Sequence, residues 1–292
     1  MQVGSSRVPL YAGLALIAAA AVTGCAASSS TGGGGPSTSA AASPLAEVKL
    51  AAQTSTKANS FTGTMNLKVT AKPGASGADG LTGDSGMTAT FAEQLHPSLL
   101  ASVNVGSLTT SGKSLPGGLT EIITPTAFYL KWSYLTQALH LDKPWVAVPF
   151  SAISKSSGID LSQLVNQANS NSPLTQTQLF ASATSVHRVG TGTIDGVPVT
   201  EYTGTVPMSK AISRLSGSVK GQLQQQIAAA GFTDEKFTVW IDGQHLTRKA
   251  IATVDGTSIS ETITLTITSI NQPVNVAAPP ASQTAPLPSN LG

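Results

Sequence analysis

Few residues in this chain of 292 are placed to do covalent chemistry. The one cysteine, Cys25, follows an almost unbroken apolar run from Leu10 to Val22 and precedes a glycine tract. A cysteine thiolate is a good nucleophile, so this position can be alkylated, but alone it cannot close an intrachain disulfide. Gly83-Asp84-Ser85-Gly86 sets a serine between glycines. Nucleophilic catalysis by serine also needs a base oriented by a third group, and the sequence supplies none near it. Neither a Ser-x-x-Lys string nor a Gly-x-Ser-x-Gly elbow occurs. His96, His140, His187 and His245 are scattered, without the spacing that brings two imidazoles to one face of a helix. The glycines of 189–196 precede a hairpin signal instead of opening a helix, so they lack the amide geometry that cradles a phosphate. The pattern argues against an enzyme, and no cofactor or metal is expected.

The surroundings of Cys25 give it a different chemistry. Arg7 is the only charge ahead of the apolar run. A run of this length is short for a membrane span, which takes about 20 residues, and suits the core of a signal peptide. Small residues follow, and Val22-Thr23-Gly24-Cys25 resembles the lipobox of bacterial lipoproteins. That resemblance implies a diacylglyceryl thioether on Cys25, cleavage before it, and residence on the extracytoplasmic face of the cell membrane. An ordinary secretory peptide or an uncleaved anchor helix are the alternatives. Two acyl chains suffice for stable anchoring where one gives only marginal binding.

Composition then divides the chain. Residues 1–24 read as the signal peptide, and 25–43 as the lipidated cysteine and a Ser/Gly/Ala linker. The linker carries no charge and too little apolar surface to offset the entropy of ordering. Residues 280–292 form a Pro-rich tail expected to be disordered, which leaves one domain at 44–279. Charged residues are 10% of the chain, Lys and Arg nearly balance Asp and Glu, and no basic stripe is present, so a nucleic-acid partner is excluded. Hydrophobic residues reach 40%, yet aromatics only 5%.

Period-two alternation dominates the domain. Phe61, Met65, Leu67 and Val69 fall on one face of 61–70, and Ile263, Leu265 and Ile267 oppose Thr262, Thr264, Thr266 and Thr268. Such runs predict antiparallel strands wet on one side. Others lie at 86–94, 99–105, 119–124, 126–131, 145–148, 186–194, 197–206, 236–242, 246–254 and 257–270. Asp195-Gly196 and Asp255-Gly256 predict tight hairpins, and 242–245 a longer turn. Helical spacing is confined to 44–59, 159–168, 173–181 and 207–230, the last closed by Gly231. The fold class is α+β: a large curved antiparallel sheet, a half-barrel, with a few helices on its concave face. With so few aromatics, the interior is expected to be incompletely filled and lipid-accepting; a fully packed aliphatic core is the alternative.

The order of these pieces resembles the LppX–LprG family of actinobacterial lipoproteins, related in fold to the LolA and LolB carriers. The resemblance rests on Phe61-Thr62-Gly63-Thr64, on 127–131 (AFYLK) with 143–146 (KPWV), and on 194–204 (IDGVPVTEYTG). It continues through 239–242 (VWID), 246–249 (LTRK) and 272–276 (QPVNV), behind the lipobox. It implies a half-barrel enclosing acyl chains and carriage of lipid or lipoglycan within the envelope; the chain is expected to be a monomer. Cavity walls are expected among the apolar-face residues Leu67, Val69, Phe128, Leu215, Leu223, Val239, Ile241, Ile263 and Leu265. Trp132, Tyr134 and Trp145 are candidates for an entrance. Two other readings stay open: a structural or transporter-accessory lipoprotein with a packed core, whose partner is a membrane transporter, and a LolA-like chaperone of acylated lipoproteins.

Overall fold

Alternation between apolar and hydroxyl side chains builds most of this molecule. A computed structural model describes residues 43–72, 83–152, 177–213 and 230–287, with 224, 227 and 228 between the last two. The chain opens on α1 (Pro44–Ser55), where the Ala46 N–H donates to the Ser43 hydroxyl at 3.3 Å and Pro44 stands in the first turn. Val48, Ala51, Ala52 and Ser55 recur at steps of three and four, and they are the residues α1 buries.

Strands follow as β1 (Ser60–Ala71), β2 (Ser85–Gln94), β3 (Leu100–Thr110), β4 (Lys113–Leu115), β5 (Leu119–Ile123) and β6 (Ala127–Lys131). After α2 (Ser133–Ala138) come β7 (Trp145–Pro149), a 3-10 turn at Thr177–Ser182, β8 (Ser185–Ile194) and β9 (Val197–Pro207). Then α3 (Met208–Ser213), β10 (Asp234–Asp242), β11 (Thr247–Asp255), β12 (Ile259–Ile270) and β13 (Thr284–Pro286) complete the described elements. All the strands join one 13-stranded sheet in the order β13-β7-β6-β5-β3-β2-β1-β12-β11-β10-β9-β8, with β4 on β3. The ends of the order do not pair with each other, so the sheet is open rather than a closed barrel. Register shifts at Thr62/Gly63, Thr88/Ala89, Arg188/Gly190 and Trp240/Ile241 mark bulges, which bend and twist a sheet.

The two faces differ as the alternation requires. On one, Thr62 bonds Thr268 at 2.9 Å, Thr88 bonds Ser107 at 2.6 Å and Thr253 bonds Thr262 at 3.2 Å, so neighbouring hydroxyls satisfy one another across the ladder. On the other, α1, the 3-10 turn and α3 pack over β8–β11. Phe180 of the 3-10 turn stacks on Phe237 at 4.3 Å, and Phe61 meets Phe91 edge-on at 5.8 Å. Two glycines admit these rings: a Cβ at Gly63 would stand 2.6 Å from the Phe91 ring, and one at Gly204 2.6 Å from that of Phe237.

The turn after β10 ties α1 to the sheet. Asp242 accepts from the Gln244 and Leu246 amides at 2.8 and 3.0 Å and from Arg248 Nε at 2.6 Å. This seats His245 at a φ of 58°, with Nδ1 2.9 Å from the Glu47 carboxylate of α1. The amide of Thr247 donates to Ser55 Oγ at the other end of that helix.

Several expectations are corrected. Every pairing is antiparallel but one: β13 runs parallel to β7, so the sheet is mixed. The tail expected to be disordered from 280 is ordered through Leu287, because Lys143 Nζ donates to the carbonyls of Ala281 and Thr284 and the Leu287 amide donates to Ala147. Asp195-Gly196 does form a two-residue turn, both residues at positive φ. Asp255-Gly256 does not; β12 resumes only at Ile259, and Gly256 is there because its α-carbon abuts the Ala230 carbonyl and the Phe232 ring. Of the predicted helix at 207–230, Met208–Ser213 is α3, and its far end closes as a Schellman motif, with Gly231 N–H bonding to Ala228 and Phe232 N–H to Ile227. The helix predicted at 159–168, the signal peptide, Cys25 and the linker through residue 42 lie outside the described residues.

Candidate functional site

Side chains that share the inward face with Leu67 can be read off the register. Leu67 pairs with Ile263 of β12 and Met87 of β2; Met65 pairs with Leu265 and Ala89; Ala89 pairs with Val105 of β3. Leu67, Met87, Ala89 and Val105 are buried as one cluster, with Met65, Val69, Val103, Leu108, Leu119 and Ile263 packed against it. A second cluster gathers Val48, Phe61, Phe91, Phe180, Phe237 and their neighbours under α1 and the 3-10 turn. Thus one inward face carries two apolar zones. α1, the 3-10 turn and α3 pack on β8–β11, and the two zones meet at Met65 and Val103.

Of the wall positions read from sequence, Leu67, Val69 and Ile263 belong to the first zone. Val239, Ile241 and Leu265 belong instead to the zone under α1 and the 3-10 turn. Phe128 is half-buried on the same face, reached through Ile123 of β5. Leu215 and Leu223 lie outside the described residues. At the proposed entrance, the Trp132 and Tyr134 rings lie 5.0 Å apart where α2 begins, and Tyr134 is exposed. Trp145 is placed differently: its register partners put it with Lys131 and Thr120, on the face opposite Val146 and Leu130, and Lys131 Nζ stands 5.9 Å from its ring.

Four glutamates on the inward face escaped the sequence reading: the buried Glu93 of β2, opposite Phe61, and three more whose carboxyls burial raises. Glu121 of β5 pairs with Val103 and Leu130; Glu235 of β10 pairs with Val206 and Val254; Glu261 of β12 pairs with Val254 and Val69. Burial raises all three carboxyls above the ordinary glutamate range. Glu235 is pushed up to about 7, by burial first and by the Glu261 carboxylate second. The signal was present, since period two places Glu261 with Ile259 and Ile263, and Glu235 with Phe237 and Val239.

These shifts fix the sign of a pH effect. Between the ordinary glutamate range and about 7, the folded protein holds a proton on Glu235 that the unfolded chain has released. Stability should therefore fall as pH rises across that window, and Glu235→Gln should flatten the fall. Thermal melts near pH 5 and pH 8 check this; a wild-type melting temperature higher at pH 8, with no difference in the variant's slope, would contradict it.

Two clefts lie among the described residues at the other end of the sheet. One, of about 380 Å³, is lined by Val197, Pro198 and Arg248 among others, and a neighbouring one of about 470 Å³ by Glu47, Tyr202, Asp242 and His245. Neither touches the Leu67 cluster. No three His, Cys, Asp or Glu side chains among the described residues are grouped to hold a metal ion, and no described helix is long and apolar enough to cross a membrane.

No family model matches the chain. A 107-residue stretch is 25% identical to an uncharacterized 31.2 kDa protein of the rplA–rplJ intergenic region of Streptomyces griseus. That match spans 36% of this chain and 35% of the relative, about a third of its length. Among solved structures the chain is similar to lipoprotein LppX of Mycobacterium tuberculosis, at 23% identity and a TM-score of 0.44, over 80% of this chain and 97% of that one. It is similar to LprF from Mycobacterium bovis at 12% identity and a TM-score of 0.44, over 81% and 96%. A putative outer membrane lipoprotein-sorting protein domain from Vibrio parahaemolyticus shares 8% identity at a TM-score of 0.27, over 80% and 94%. At such values a likeness carries nothing about ligand or partner. The α+β sheet stands on this chain's own strand order, and the LppX–LprG resemblance drawn from its motifs is the one the solved structures return.

Proposed function

We propose that the chain is a lipid-anchored, extracytoplasmic lipoprotein that shelters acyl chains against the inward face of its sheet and carries lipid within the envelope. One observation supports this above the rest: the Leu67–Met87–Ala89–Val105 cluster is a second apolar zone, beyond the one that α1, the 3-10 turn and α3 cover. Each CH₂ kept from water is worth about 0.8 kcal/mol, so an acyl chain laid along such a surface gains what an aqueous crossing would cost it. The pair of half-buried Trp132 and exposed Tyr134 is the proposed entrance. Carriage requires no bond making, in keeping with the scattered nucleophiles and histidines.

The anchor belongs to the same proposal. Cys25→Ser should move the protein from the membrane fraction to the soluble fraction on cell fractionation, and continued tight association with membranes would contradict the anchor. Binding is tested separately, by titrating the purified full chain with a fluorescent fatty acid. Saturable binding displaced by a diacyl phospholipid is expected. Absence of binding would leave the packed-core interaction lipoprotein as the better reading.

A further inference from the structure

Glutamates interrupt the mainly apolar inward face between β5 and β10, and two of these share one row near the end of the sheet. That row runs Glu235 on β10, Val254 on β11, Glu261 on β12, Val69 on β1 and Ser85 on β2. It lies within two residues of the ends of β10, β11, β12 and β1 and at the first residue of β2, at the opposite end from α1 and His245. Adjacent strands are about 4.8 Å apart, so the two glutamates stand about 10 Å apart across the row. Neither carboxylate has a hydrogen bond or ion pair among the described residues.

We propose that this row is the polar end of the acyl-binding face, and that Glu235 and Glu261 take the protonated amine of a lipid headgroup. The inference rests on the reading of the inward face as an acyl-chain surface. A desolvated carboxylate without a partner is costly, and an ammonium group donating to it relieves that cost through a charge-assisted hydrogen bond. A headgroup ending in a phosphate alone would meet two like charges instead. The position suits the division of a lipid: tails along Val69, Leu67 and Ile263, and the head at the row where the strands stop.

Among the described residues, the groups facing this row are few. Val206 and Val254 flank Glu235, and Val69 and Val254 flank Glu261. Asp234, Lys236 and Asp255 alternate to the other face, where Ser260 donates to Asp255 at 2.7 Å. Lys72 Nζ donates to the Gly256 carbonyl beyond the row, and Lys210 on α3 already has a partner. Burial and the mutual repulsion of the pair raise the Glu235 carboxyl, so its charge and the amine preference should strengthen together as pH rises through about 7.

The test is competition between phosphatidylethanolamine and phosphatidylglycerol with identical acyl chains, read as bound lipid by native mass spectrometry of the full-length protein. At about pH 8 the amine lipid should be favoured about tenfold, a preference that shrinks at about pH 6 and vanishes in Glu235→Gln/Glu261→Gln. Should the double variant not fold, Glu235→Gln alone and the wild-type ratio at the two pH values decide the matter. Equal binding of both lipids at about pH 8 overturns the headgroup assignment and leaves the acyl-chain reading standing. Binding of neither overturns both.

Discussion

Replacing Phe237 by Ala should destabilise the protein by about 3–5 kcal/mol, the cost of emptying a large buried aromatic site. Phe237 is 2% exposed and lies in the middle of β10. Its ring stacks on Phe180 at 4.3 Å with planes 12° apart, and covers the bare backbone of Gly204 on β9. It therefore joins the sheet to the 3-10 turn that lies over it, and that turn packs in turn on α1. Both contacts go at once, and Gly204 has no side chain with which to fill the space. Urea unfolding checks the value; a loss below about 1 kcal/mol would mean that the cover over β8–β11 is held by something other than this stack. The ion pair between His245 and Glu47 should matter far less, because exposed and half-exposed pairs contribute about 0–1 kcal/mol.

A substitution in the other zone should separate fold from function. Ala89 is 4% exposed at the centre of the Leu67 cluster, and its neighbours across the sheet are Met65 and Val105. Ala89→Trp places an indole where the acyl chain is proposed to lie. Fatty-acid affinity should fall by tenfold or more while the loss of stability stays near or below the about 1–3 kcal/mol of ordinary overpacking. Binding and unfolding measured on one preparation test both halves. A protein that unfolds outright on receiving the indole would have a solid interior there, and one that binds as before would carry its ligand elsewhere.

How much of this was legible in the residues follows from which forces are local. Alternation gave the strands, because one face of each is apolar and the other hydroxylated. The Asp195-Gly196 turn was legible because both positions need positive φ, which that dipeptide tolerates. The same dipeptide at 255–256 misled, since Gly256 answers to a close approach of Ala230 that is distant in sequence. Three short elements, β4, α2 and β13, have too few residues for any period to show, and β13 exists only because Lys143 and the edge of β7 receive it. The faces were more legible than the zones. Leu67, Val69 and Ile263 fall where alternation puts them, whereas nothing local distinguishes them from Val239, Ile241 and Leu265, which the Phe180 turn and α1 cover. Trp145 needed register to reveal its face. The inward glutamates obeyed the alternation all along; they were passed over because a charge is not expected among apolar neighbours.

Everything functional here turns on whether hydrocarbon occupies the inward face beside Leu67. The most direct measurement is native mass spectrometry of the full-length protein extracted from its own membrane in a mild detergent. A bound diacyl lipid in addition to the mass of the Cys25 modification, lost on Ala89→Trp, is the expected result. Repeated spectra of ligand-free protein, together with a wild-type chain that takes up no fatty acid, would contradict it.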